Sequence, residues 1–200
     1  MKITIDGPAG SGKSTVAKVL ADKLGFFYID SGALYRALAF YLENGKIEDF
    51  NVDYSWQNKS AVLKIAGQDI SQEIRQEKIS KRASEIAKLE NVRNLITDLQ
   101  RKIAATNNVV LEGRDAGTVV FPEAEVKFFL TASLDERTKR RALDLKNVDF
   151  EKLKADIKER DLKDSTREFA PLVKAKDAIE INTDGMKIDE VVDLLMAFVK

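Results

Sequence analysis

The sequence predicts an α/β fold built on a parallel sheet, and three observations carry the prediction. Short β-branched or aromatic runs recur along the chain, longer stretches with helical periodicity intervene, and a glycine-rich segment joins the first run to the first helix. Taken in order, Ile3–Ile5, Phe26–Ile29, Val109–Leu111, Val126–Leu130 and Ala178–Ile181 read as strands. They do not alternate strictly between apolar and polar, as befits strands covered by helices on both faces. Ser14–Leu24, Ala33–Glu43, Ile79–Ala104, Leu134–Lys146, Glu151–Asp164 and Ile188–Lys200 read as helices. Gly25 stands where a C-cap glycine belongs, and Ser133-Leu134-Asp135-Glu136 has the spacing of a capping box.

Two stretches break this rhythm. Asn44–Ile74 is polar, with a strand expected at Ala61–Ile65 and a turn at Gly67, and Asp144–Phe169 is dense in charge and poor in apolar residues. They read either as ordinary surface excursions or as two mobile covers over a cleft. No repeat, low-complexity tract or linker divides the chain, so its 200 residues are expected to share one core.

Composition narrows the chemistry. The chain has no cysteine and no histidine, which removes thiolate nucleophiles, the commonest metal ligands and the commonest general base. Phosphoryl transfer tolerates that restriction well, because its catalysis is mostly positioning and charge stabilisation. Lys and Arg number 33, and so do Asp and Glu, which argues against a nucleic-acid partner. Met1-Lys2-Ile3-Thr4-Ile5 leads straight into motif and no apolar run reaches membrane-spanning length, so no signal peptide, no membrane partner and a cytoplasmic location are expected.

Gly7-Pro8-Ala9-Gly10-Ser11-Gly12-Lys13-Ser14-Thr15 satisfies G-x-x-x-x-G-K-[ST] in full, between a strand and a helix. The glycines let backbone N–H groups face a polyphosphate, and the helix N-terminus adds partial positive charge. Lys13 is placed to meet the β- and γ-phosphates, and the Ser14 hydroxyl to ligate Mg²⁺. This identifies a nucleoside triphosphate site and leaves the acceptor open.

Asp30-Ser31-Gly32-Ala33-Leu34-Tyr35-Arg36 follows the second strand, and Glu112-Gly113-Arg114-Asp115-Ala116-Gly117-Thr118 follows the third, so both should face the crevice at the carboxyl ends of the strands. On the plainer reading Ser31 is an N-cap and Arg36 a solvated charge. Glu112 could hold magnesium through water. Arg160, Asp164 and Arg167 stand at i, i+4 and i+7, and Arg137, Arg140 and Arg141 share another helical face. Intrahelical ion pairs explain such spacings cheaply, but arginines flanking a suspected lid also suit phosphate oxygens. Ser84 and Arg93 fall nine residues apart on one expected helix, about 14 Å at 1.5 Å per residue. They share a pocket only if the chain bends between them, where Asn91 could cap a new helix.

Together GPAGSGKST, DSGALYR, QDISQEIR, EGRDAGTVVFPEA, LTASLDERTKRR, IKERDLKDSTR and APLVKAKDA resemble the bacterial cytidylate kinases, in order and nearly end to end. The resemblance implies a P-loop NTPase fold of adenylate-kinase type: a five-stranded parallel sheet flanked by helices. It further implies a core of residues 1–36, 105–140 and 168–200, a nucleoside monophosphate-binding insertion over about 37–104 and a lid over about 141–167. It implies transfer of the γ-phosphoryl group of Mg·ATP to CMP or dCMP by a monomer. Gly7–Thr15 would hold the donor, with Arg137, Arg140 and Arg141 closing from the lid. Asp30, Ser31, Tyr35, Arg36, Arg114 and Arg167 would surround the acceptor phosphate and the transferring group. Ser84, Arg93 and Asp115 would read the cytosine, and Arg160 and Asp164 would contact the sugar. Lys13, Arg114, Arg140 and Arg167 are the expected catalytic groups. The segment between Arg36 and Arg75, and the lid between Arg141 and Arg160, are shorter than usual, and Ala116 is small for its position.

Overall fold

The computed structural model describes residues 1–143, 145 and 148–199. The expected helix end at Lys146, the chain end at Lys200, and the part of the lid at Asp144, Lys146 and Asn147 lie outside the described residues. Five strands, β1 (Lys2–Asp6), β2 (Phe27–Asp30), β6 (Val109–Glu112), β7 (Val126–Thr131) and β8 (Ile179–Asn182), form one sheet in the order β2-β6-β1-β7-β8. Every pairing in it is parallel. A second, antiparallel sheet joins β3 (Asp53–Gln57), β4 (Ser60–Ile65) and β5 (Gln68–Asp69). Of these, β4 covers the expected strand, and left-handed Ala66 and Gly67 make the expected turn (φ 48 and 81°).

Helices cover both faces, which explains the run-like strand pattern. On one side α1 (Lys13–Leu24) and α7 (Ile188–Met196) pack Val16, Leu20, Val192 and Leu195 against Ile3, Ile5, Val110 and Phe128. On the other, α2 (Ser31–Tyr41), α3 (Glu77–Ile86) and α4 (Glu90–Ala104) pack Leu34, Leu38, Ile79 and Ile96 against Ile29, Val109 and Leu111. Successive residues of β6 thus feed opposite cores. Beyond β7, α5 (Leu134–Leu143) and α6 (Phe150–Thr166) pack on one another. Among the described residues no helix is long and apolar enough to cross a membrane.

The single helix expected over Ile79–Ala104 is two. The first ends at Ile86 and the second begins at Glu90, with Leu89 extended between them (φ −79°, ψ 128°). No glycine or proline marks the break. It arises because α3 packs on α2 while α4 also packs on the turn after β6, two directions that one straight helix cannot serve. Asn91 lies inside α4 and caps nothing. The N-cap of α2 is likewise Asp30 rather than Ser31: its carboxylate accepts from Ala33 N at 2.8 Å, and Ser31 opens the helix.

Candidate active site

The glycine-rich segment runs from the end of β1 into α1. Gly7 (φ 147°), Gly10 (φ 78°) and Gly12 (φ 86°) all take left-handed or related conformations. A Cβ on Gly7 would stand 2.1 Å from the Leu130 carbonyl oxygen, so only glycine lets the loop pass β7. Lys13 is buried and folds back over the loop, its Nζ donating to the Pro8 carbonyl at 2.6 Å and to Ser11 Oγ at 3.3 Å. Burial, and then the positive charge of Arg114, push the Lys13 ammonium down, while Glu112 opposes them. A polyanion in the loop would add countercharge to that of Glu112 and Asp6. Thr15 is exposed on the same helix.

Ser14 Oγ donates to Glu112 Oε1 at 2.8 Å, which brings together the two groups expected at a magnesium site. Burial, and then Asp30 beside it, raise the Glu112 carboxyl. A hydroxyl and a carboxylate are the hard oxygen donors that Mg²⁺ takes. Among the described residues no cluster of three acidic groups surrounds the spot, so a cation here would complete its shell with phosphate oxygens and water.

Facing the cradle is a side-chain network. Arg93, from α4, is paired with Asp115, and Asp115 reaches Arg167 at 3.4 Å. Arg167 stands 3.8 Å from Asp164 of α6, and Asp164 accepts from Arg114 Nε at 2.9 Å. Three guanidiniums therefore alternate with two carboxylates, leaving one net positive charge. Burial lowers the Arg167 guanidinium, and Arg93 adds to the effect. Burial opposes the charge on Arg114 too, but Asp164, Glu112 and Asp161 together outweigh it and the guanidinium is raised. Tyr35 lies under this network, with Arg93 Cζ 5.5 Å from its ring centroid, and burial pushes its phenol up to about 12.

Arg93 Nη1 donates to the Ala87 carbonyl at 2.9 Å, so the helix break is what brings Arg93 next to the end of Ser84's helix. Among the described residues Arg93 Nε is buried without a partner, and Ser84 Oγ has no hydrogen-bond partner. An open cavity of about 320 Å³ adjoins Arg167, lined by Lys88, Lys163, Thr166, Glu168 and Phe169.

Nearer β2, Arg36 pairs with Asp30 at 3.2 Å, and buried Ser31 accepts from Gln100 Nε2 at 2.7 Å. Arg160 remains accessible to solvent on α6, yet the surrounding walls of the cleft, and then Arg114, push its guanidinium down to about 10. Arg137 and Arg140 sit on α5, the helix expected to begin at Leu134. Arg140 donates to Thr183 Oγ1 at 2.8 Å and to Glu136 at 3.0 Å; Arg137 donates to the Ala9 carbonyl at 3.0 Å. Arg141 is exposed on the same helix.

Four contributors escaped the sequence reading. Asp6 accepts from Ala116 N (2.9 Å) and Gly117 N (2.8 Å), tying β1 to the π-helical turn Ala116–Val120 that shapes the Arg114–Asp115 loop. Burial pushes its carboxyl up to about 6. Asp161 bonds to the glycine-rich loop at Ala9 N (2.9 Å). Gln100 orients Ser31, and Tyr54, from the small sheet, bridges Asp30 N (2.9 Å) and the Tyr28 carbonyl (3.2 Å). Only Asp6 carried a signal, as the acidic residue that ends the strand before the loop.

The family model for cytidylate kinase matches residues 3–200. A cytidylate kinase from Thermosipho melanesiensis is 47% identical over 212 residues, covering 100% of this chain and 96% of that protein. A bifunctional pantoate ligase/cytidylate kinase from Prochlorococcus marinus (strain AS9601) is 48% identical over 217 residues, but the match spans 97% of this chain and only 42% of the relative. The solved shikimate kinase of Bacteroides thetaiotaomicron shares the fold, with a TM-score of 0.55 at 18% identity, covering 100% of this chain and 98% of that one.

Proposed function

The chain belongs to the cytidylate kinase family, and we propose that it transfers the γ-phosphoryl group of Mg·ATP to the 5′-phosphate of CMP or dCMP, yielding ADP and the diphosphate. One observation carries the reading. A phosphate cradle and a buried arginine network with one uncompensated positive charge converge at the carboxyl ends of β1, β2 and β6.

Gly7–Thr15 bind the donor phosphates through backbone N–H groups, and Lys13 neutralises charge on the transferring group. Ser14, with Glu112 nearby, would hold magnesium, which would supply positive charge against the donor phosphates. Arg36 and Arg114 orient the acceptor phosphate, which is ionised near neutral pH and needs no strong base. Arg160 and Arg167 close from the α6 side, and Asp164 meets the sugar. Arg93 Nε, Ser84 Oγ and the Asp115 carboxylate supply the mixed donors and acceptor that a cytosine edge requires. The insertion over 37–104 and the lid over 141–167 exclude water, which would otherwise accept the phosphoryl group. Small-molecule nucleotides are the partners, and the chain acts as a monomer.

The test is ADP release from Mg·ATP with CMP, dCMP, UMP, AMP or GMP, each beside a no-acceptor control. Turnover with CMP and dCMP alone is expected. Turnover with UMP or AMP instead would keep the kinase and discard the cytosine assignment, and ADP release that ignores every acceptor would replace it with a hydrolase.

A further inference from the structure

Asp161 is not accounted for by the site described above. It lies on α6, one residue after Arg160 and three before Asp164. Its carboxylate accepts from Ala9 N at 2.9 Å and pairs with Arg137. The same Arg137 donates to the Ala9 carbonyl at 3.0 Å and, through Nε, to the Ala132 carbonyl at 3.0 Å. Both polar groups of one residue in the phosphate loop are therefore held by a side-chain pair, one partner from α5 and one from α6.

The apolar anchorage of α6 is small. Leu153 and Ile157 are its buried side chains, and with Ala9 they make a core cluster far smaller than either sheet face. A small apolar contact holds a helix down without dictating its rotation or axial register, whereas a charged hydrogen-bonded pair does both. The sequence makes this register consequential. Asp161 and Asp164 share a face of α6, separated by about 4.5 Å of axial rise. One carboxylate is fixed to the donor loop and the other to Arg114 on the acceptor side.

We propose that Asp161 is a positioning residue: acting through Arg137 and Ala9, it sets α6, and with it Arg160, Asp164 and Arg167, in register with the donor phosphates. The proposal rests on the kinase reading above. It does not place Asp161 in contact with either substrate. It makes α6 a ruler between the two substrates, marked by two carboxylates.

The experiment compares Asp161→Ala, Asp161→Asn, Arg137→Ala and the double alanine variant for Tm, kcat, both KM values and ADP release without acceptor. A misplaced α6 is expected to lower kcat of Asp161→Ala by about 10²-fold, with smaller rises in KM and a larger share of ADP formed without acceptor. Asp161→Asn keeps an acceptor for Ala9 N but loses the charge facing Arg137, so it should fall between; it also carries the test if the alanine variant does not fold. The double variant should lose less than the product of the two single losses, because the two side chains share one contact. A lowered Tm with kcat and both KM values within about twofold of wild type would overturn the proposal in favour of a purely structural tie, as would losses that multiply in the double variant. Failure of the wild-type chain to phosphorylate CMP or dCMP would remove the acceptor reading and this inference together, whereas active wild type with undiminished Asp161 variants removes the inference alone.

Discussion

The proposed donor cradle and the proposed acceptor network face each other across the end of one sheet, but they are built from different material. The cradle is backbone: one contiguous loop with positive φ at Gly7, Gly10 and Gly12, presenting N–H groups and a single cation, Lys13. The acceptor side is side chains. Arg36 comes from α2, Arg93 from α4, Arg114 and Asp115 from the loop after β6, and Asp164 from α6. A backbone site is specified by its own string of residues and survives changes elsewhere. A side-chain site is only as good as the packing that brings its elements together, and each of its charges depends on the next.

The largest effect expected from this contrast is that of Arg114→Ala. An arginine that meets the transferring group contributes about 10³ to 10⁵ in rate, so kcat should collapse by that order while ATP binding, measured by titration of a non-hydrolysable analogue, stays within a fewfold. Asp164 keeps Arg167 at 3.8 Å, which limits damage to the fold. If affinity for the analogue fell as far as turnover, the two regions would not be separable and the contrast would fail.

The same difference in material explains what could be read from the chain. Gly7–Thr15 needed no fold to be recognised, and the five core strands were legible because parallel strands are short apolar runs. The pairing of Ser14 with Glu112 was also foreseeable, since both stand at strand ends of a known crevice. The break at Ala87–Leu89 was not, because no local residue demands it; α2 and the turn after β6 impose it from outside. The grouping of Ser84 with Arg93 came from family resemblance and not from spacing. Asp161 and Arg137 looked like ordinary helix-surface charges, and their meeting at Ala9 exists only once α5 and α6 are packed.

Asp6 sharpens the comparison, since it joins the two regions at the Ala116–Gly117 turn. Its carboxyl, ordinarily 3.8, is raised to about 6 by burial, against the two backbone hydrogen bonds that favour the charged form. A group raised on folding contributes stability that is full below its unfolded pKa and is lost as pH rises through its folded pKa. The stability difference between wild type and Asp6→Asn should therefore shrink by roughly 2 to 3 kcal/mol between about pH 4 and 7, read from denaturant unfolding at each pH. A difference that stays level across that window would mean that Asp6 titrates as an ordinary carboxylate and bears no burial cost.

The smallest effect belongs to Tyr54, where the insertion bonds to the end of β2. β2 is an edge strand, and the Tyr54 hydroxyl closes its exposed end by accepting from Asp30 N at 2.9 Å and donating to the Tyr28 carbonyl at 3.2 Å. Tyr54→Phe keeps the ring contact with Phe27 at 6.0 Å but leaves that N–H without its partner, at a cost of about 1 to 2 kcal/mol. Asp30 both caps α2 and holds Arg36, so loosening it should raise the KM for the acceptor severalfold and leave the KM for ATP unchanged. Among the described residues Tyr54 bonds directly to none of Gly7–Thr15. A shift in the ATP constant as large as that in the acceptor constant would mean that the edge strand transmits strain through β6 into β1, and that the backbone site is less self-sufficient than its contiguous sequence implies.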